Sequence, residues 1–182
     1  MLPMSMRRIM VIGSGGAGKS QLSRALGQCL NLPVVHLDAR FWQPGWIEMD
    51  RTEWNTEMDR LVSADSWVLD GNYGGSMDAR LDACDTVIFL NLSRWICLFR
   101  MFKRVARNYG RPRPDLGSGC PEQLPDWAFT KWILTFPDRK APAIMKKLQN
   151  LSTEKTVYIL RTRADVSAFM TSLLPADMSG TA

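Results

Sequence analysis

The stretch that most constrains this chain is RIMVIGSGGAGKSQLSRALGQCL, residues 8–30. Four apolar residues, Ile9 to Ile12, run straight into Gly13-Ser14-Gly15-Gly16-Ala17-Gly18-Lys19-Ser20. Leu22, Ala25, Leu26, Cys29 and Leu30 then recur at helical spacing. A short, unbroken apolar run is what a buried parallel strand presents. The eight residues after it fit G-x-x-x-x-G-K-[ST], in the strand–loop–helix context that gives this motif its meaning. Glycines accept positive φ and bring amide N–H groups close to phosphate oxygens. The following helix aims its first amides and its positive dipole end at the same point. Lys19 then reaches the β- and γ-phosphates, and the Ser20 hydroxyl is placed to bind Mg²⁺. The pattern predicts a loop that binds a nucleoside triphosphate.

The bulk properties narrow the setting of that loop. At 182 residues, 46% hydrophobic and 23% charged, the chain reads as one globular domain with a real core. No apolar run approaches the roughly 20 residues that span a bilayer, and the N-terminus lacks the apolar stretch and cleavage site of a signal peptide. Cys29, Cys84, Cys97 and Cys120 are irregularly spaced and His36 is the only histidine, so a structural zinc site is not expected. Three of these cysteines sit in apolar company and read as small core residues in a reduced, cytoplasmic protein. The net charge of +5 suits an anionic partner, which a nucleotide, a nucleic acid or an acidic membrane surface would each satisfy.

Further along, Val34–Leu37, Trp67–Leu69, Thr86–Leu92 and Thr156–Leu160 read as four more strands with helices between them. Asp50 is placed to cap a helix with Glu53 three residues on, and Trp54, Met58, Leu61 and Val62 form its buried face. Asp165 is expected to cap a last helix carrying Val166, Phe169, Leu173 and Leu174. Strand–helix alternation implies a parallel sheet covered on both faces, with ligands at the carboxyl ends of its strands. Asp38 and Asp70 fall there. Asp70 fits a magnesium-binding acid opposite Ser20 better than an aspartate that merely opens an Asp-Gly-Asn turn. Asp38 fits a group that orients or deprotonates an acceptor hydroxyl, a metal ligand, or a plain cap.

Between Trp95 and Tyr109 two stripes are expected on one helix. Trp95, Leu98, Phe99, Phe102, Ala106 and Tyr109 make the apolar one; Arg100, Lys103, Arg104 and Arg107 make the basic one. The basic face suits a transferring phosphate, a nucleic-acid backbone or an anionic membrane. Arg111 to Pro125 is rich in Pro and Gly and has no helical or strand period. A loop of this length inside a compact domain is commonly an active-site lid, which favours the phosphate-transfer alternative. Phe129, Trp132, Ile133 and Phe136 resume a helix. Phe41, Trp42 and Trp46 either stack on a substrate ring or anchor the core.

Taken in order, the glycine loop, the two strand-end aspartates, the arginine helix, the lid and the fifth strand resemble adenylate-kinase-like P-loop kinases. Finer motifs resemble the bacterial DNA topology modulation (FlaR-like) family: His36-Leu37-Asp38, Phe41-Trp42-x-Pro44-Gly45-Trp46, Asp70-Gly71-Asn72-Tyr73-Gly74-Gly75, Arg113-Pro114-Asp115, Gly119-Cys120-Pro121-Glu122 and Leu160-Arg161. The resemblance covers about residues 7–172. It implies a five-stranded sheet in order 2-3-1-4-5, ATP as phosphate donor, and Arg100 and Arg104 on the adenine and phosphates. The adenylate-kinase motif Asp-Gly-Phe-Pro-Arg is here Asp70-Gly71-Asn72-Tyr73, with Arg80 further on.

The expected organisation is a flexible segment 1–6, a kinase-like domain 7–174 with a lid at about 95–137, and a flexible tail 175–182. Nucleotide contacts are expected from Gly13 to Gln21, Arg100 and Arg163; metal ligands are Ser20 and Asp70. Lys19, Asp38, Arg104 and Arg107 are the expected catalytic groups. Asp38, Phe41, Trp42, Gly71, Asn72, Tyr73 and Arg80 are the expected acceptor contacts. The function these imply is transfer of the ATP γ-phosphate to a nucleotide or other small molecule, with no membrane partner. The alternative is a nucleic-acid-associated NTPase. A GTPase is disfavoured, since Asn-Lys-x-Asp is nowhere in the chain.

Overall fold

The structure, a computed structural model, describes residues 6–113, 115–117 and 119–173. The expected terminal segments and the place of Leu174 lie essentially outside them. In chain order the elements begin β1 (Arg8–Gly13), α1 (Lys19–Leu30), β2 (Val34–His36), α2 (Leu37–Phe41), β3 (Trp42–Gln43), β4 (Ile47–Glu48) and α3 (Arg51–Val62). They continue with β5 (Trp67–Asp70), a 3₁₀ turn (Gly74–Ser76), α4 (Met77–Ala83), β6 (Thr86–Leu90) and α5 (Arg94–Asn108). The last are α6 (Trp127–Arg139), α7 (Ala141–Gln149), β7 (Thr156–Leu160) and α8 (Arg163–Ser172).

Five strands form one parallel sheet in the order β2-β5-β1-β6-β7. Counting only these five, this is the expected 2-3-1-4-5. Side chains alternate across a strand, so β1 feeds two cores. Ile9 and Val11 join Leu22, Leu26, Val68, Ile88 and Met101 on one face. Met10 and Ile12 join Trp54, Met58, Leu69, Phe89 and Phe136 on the other. Burial on both faces explains why these strands read as continuous apolar runs.

Several local expectations are corrected. The second strand stops at His36 and the fourth at Leu90, and Asp38 lies in the first turn of α2. An antiparallel hairpin, β3–β4, occupies the tryptophan segment. Asp50 does cap α3, accepting from Thr52 N at 2.7 Å. The cap of α8 is Thr162, with Asp165 as its capping-box partner. The largest correction concerns α5, whose buried side chains are Cys97, Leu98, Met101 and Val105. Of the expected apolar stripe only Leu98 is buried; Trp95, Phe99, Phe102 and Tyr109 are exposed. None of the described helices is long and apolar enough to cross a membrane.

Candidate functional site

The glycine loop joins the carboxyl end of β1 to the start of α1, as strand and helix periods require. Gly16 shows why side chains are excluded there. Its φ is +76°, and a Cβ would meet the Cys97 carbonyl oxygen at 2.2 Å. The loop backbone therefore lies directly against α5. Lys19 Nζ donates to Ser14 O at 3.2 Å, folding the cation over the loop. Arg100 Nη1 donates to Ala17 O at 3.0 Å, so the basic helix is tied to the loop at a second point. Ser14 and Ala17 are buried in the loop's interior.

A cleft of about 870 Å³ opens above the loop, lined by Gly15, Gly16, Gly18, Lys19, Ser20 and Gln21 at its base. Arg100, Arg104, Arg107 and Arg163 line it too, so most of the expected nucleotide side is brought together. Cationic side chains outnumber carboxylates eight to four around its walls, which suits a polyanion. Burial lowers the pKa of Arg100, and Arg163 beside it lowers it further.

Only part of the expected acceptor set reaches this cleft. Asp38 and Trp42 line it, joined by Trp46. Asp38 Oδ1 accepts a hydrogen bond from the Tyr73 hydroxyl at 2.7 Å, which fixes its carboxylate from behind. Burial raises the pKa of Tyr73, and Asp38 adds to the effect, so the phenol stays a donor. Phe41 packs edge-on against Trp42 and Trp54 and lies 5.0 Å from Tyr73, centroid to centroid, as a wall behind the cleft.

Three expected acceptor contacts are engaged elsewhere. Asn72 Oδ1 accepts from Gly13 N at 3.0 Å while its Nδ2 donates to Gly13 O at 2.7 Å, so it braces the phosphate loop. Gly71 packs at φ +144° under Leu37. Arg80 is fully buried. Its guanidinium donates to Gly71 O, Asn72 O, Tyr73 O and Ser76 O at 2.6–3.3 Å, wrapping the 71–76 turn around one cation. Burial lowers its pKa to about 10, which leaves it charged at neutral pH. It does not reach the cleft.

Of the two strand-end acids, only Asp38 lines the cleft. Asp70 is 4% exposed and absent from the cleft wall; its Oδ2 lies 2.6 Å from His36 Nδ1, its register partner on β2. Among the described residues no group of three or more His, Cys, Asp or Glu could hold a metal ion.

The lid loop brings acids that sequence reasoning did not single out. Glu122 is 5% exposed and pairs with Arg104 at 3.2 Å and with Arg113 Nε at 2.7 Å. Burial lowers the pKa of Arg104 and so does Arg113, against the opposing pull of Glu122. Asp115 lies 3.8 Å from Arg113 and faces the Ser20 hydroxyl. Burial alone would raise its pKa, but Arg113, the Ser20 hydroxyl, its own amide and His36 together hold the carboxyl below its ordinary range. The only sequence signal for these acids was their place beside prolines in the motifs Arg113-Pro114-Asp115 and Pro121-Glu122.

No family model matches the chain, and no curated protein matches it. Solved structures do. Shikimate kinase from Acinetobacter baumannii, in complex with shikimate, is 15% identical with a TM-score of 0.57, over 97% of this chain and 96% of that one. Shikimate kinase from Bacteroides thetaiotaomicron is 16% identical with a TM-score of 0.55, over 93% and 96%. Deoxyadenosine kinase from M. mycoides, with dCMP and dCDP bound, is 14% identical with a TM-score of 0.52, over 91% and 97%. At these identities the likeness is one of fold: the chain has the α/β P-loop fold of shikimate and deoxynucleoside kinases.

Proposed function

We propose that the protein is an ATP-dependent phosphotransferase that moves the γ-phosphoryl group of ATP to a hydroxyl of a small molecule. One observation carries this. A phosphate-type loop, a cation-rich wall and the carboxylate of Asp38 all line a single cleft. Gly13 to Gln21 hold the triphosphate through backbone amides and Lys19, and Arg100 and Arg163 lie where the base end of the nucleotide would rest. Asp38, held by Tyr73, accepts a hydrogen bond from the acceptor hydroxyl and takes its proton as the new O–P bond forms and ADP leaves. Arg104 and Arg107 supply positive charge toward the group in transit. Ser20 and the nearby carboxylates are hard oxygen donors, the kind magnesium takes. When bound, that ion neutralises charge on the phosphates. Trp42 and Trp46 supply flat faces for an acceptor ring.

The test is an ATP-consumption screen over nucleosides, nucleotides and small polyols, with each product identified by mass. ADP together with a phosphorylated acceptor is the expected result. Absence of ATP binding by calorimetry would overturn the proposal. Membership of the DNA topology modulation family rests on the motif resemblance, and a cytoplasmic location on four unpaired cysteines. A second reading, a nucleic-acid-associated NTPase, draws on the exposed Lys103, Arg107 and Arg111. Under the kinase proposal duplex DNA binds only weakly and with a steep salt dependence; tight, sequence-selective binding at physiological salt would reverse the ranking.

A further inference from the structure

Asp70, Asp38 and Asp115 are each held differently. Asp70 is buried against His36 and does not line the cleft. Asp38 lines it from the acceptor wall, with one oxygen engaged by the Tyr73 hydroxyl. Asp115 lines the same cleft as Ser20, and its ion pair to Arg113 spans 3.8 Å.

The lid loop that carries Asp115 is anchored at both ends. At its base, Gly110 N donates to Glu122 O and Glu122 N to Arg111 O, both at 2.9 Å, and the Glu122 side chain binds Arg104 and Arg113. On its returning limb, Gly45 N donates to Gly119 O at 2.9 Å, Cys120 Sγ to Gln43 O at 3.1 Å, and Trp46 Nε1 to Pro121 O at 3.1 Å. Asp115 sits between these anchors. Its position at the loop mouth is therefore a consequence of the lid being docked, and an undocked lid would remove it.

Building on the phosphotransferase reading, we infer that Asp115, delivered by the docked lid, is the protein carboxylate that shares with Ser20 the divalent cation accompanying the nucleotide. Asp70, engaged by His36, then takes no part in holding that cation. Magnesium is held by few protein oxygens and keeps several waters and phosphate oxygens, so one hydroxyl and one carboxylate suffice. The arrangement couples metal to lid: the cation binds best when the lid is down, and a metal–nucleotide complex favours the docked state.

The test compares ATP affinity by calorimetry, with EDTA and with Mg²⁺, in the wild type, Asp115→Asn, Asp115→Glu and Asp70→Asn, and counts Mn²⁺ bound with ATP by EPR. Asp115→Asn is expected to weaken metal-dependent ATP affinity by about 10-fold or more. In EDTA it should bind ATP no more weakly than the wild type, because a negative charge beside the phosphates has been removed. Asp115→Glu should restore part of the metal dependence. Asp70→Asn should keep it. A purely structural role for Asp115 predicts equal loss with and without metal, and that result overturns the inference. So does an unchanged Mn²⁺ count in Asp115→Asn, or its loss in Asp70→Asn alone. A wild type that binds no ATP under either condition would overturn the phosphotransferase reading itself.

Discussion

The two ends of the cleft are built by opposite means. The nucleotide end is made of contiguous residues, Gly13 to Gln21, whose backbone does the binding. The acceptor end is assembled from Asp38, Trp42, Trp46 and a lid more than 60 residues away, joined by side chains. A backbone site is encoded by which residues permit a conformation, and that survives in a short motif. A side-chain site depends on what each group meets in space, and chain order does not record it.

The sharpest way to break this contrast is at Lys19. Lys19→Ala should lower phosphotransfer by about 10³-fold through loss of a preorganised charge contact, with the unfolding midpoint unchanged. Calorimetry with ATP and a denaturant curve check the two halves. Arg80→Met should do the reverse. Each buried carbonyl left without its donor costs about 1–3 kcal/mol, so a total of about 3 kcal/mol or more should be lost. The folded fraction should keep its acceptor KM; an altered KM at full stability would return Arg80 to the acceptor site.

Arg104 and Arg107, equivalent on the helix period, should separate. Arg107→Ala should reduce turnover by about 10²-fold with little effect on stability, since it is exposed in the cleft. Arg104→Ala should reduce turnover and also cost about 2 kcal/mol, less than a fully broken buried pair because Arg113 still holds Glu122. Normal turnover in both would remove the lid helix from the mechanism. Trp46→Phe gives the smallest effect. It removes one hydrogen bond to Pro121 O, worth about 1 kcal/mol locally. Limited proteolysis between Asn108 and Pro125 should become faster while overall stability hardly moves.

The strands and the glycine loop were legible because both are written in period and local composition; the order of the strands in the sheet came from the family resemblance. The α5 face was not. Beside the basic stripe the rest of that helix is broadly apolar, so Trp95, Phe99, Phe102 and Tyr109 compete with Cys97, Met101 and Val105, and only the neighbours choose which stripe is buried. Asn72 and Arg80 misled for a related reason. Polar side chains after a strand end look like ligand contacts, whereas here the backbone turn itself uses them. Asp115 and Glu122 lay in a segment without periodicity, where spacing carries no directional information.

The wrap of the 71–76 turn around Arg80 bears on the order in which the chain assembles. Its bonds join residues only four to nine apart, so they close with little loop entropy. The parallel sheet, by contrast, pairs strands separated by dozens of residues and must close slowly. The turn is therefore expected to form ahead of the sheet, with Asn72 already aimed at the strand end it will brace. Pulse-labelled hydrogen exchange would find the α4 amides protected before those of β1, making Arg80 a nucleus for the half of the molecule that later receives the phosphate loop.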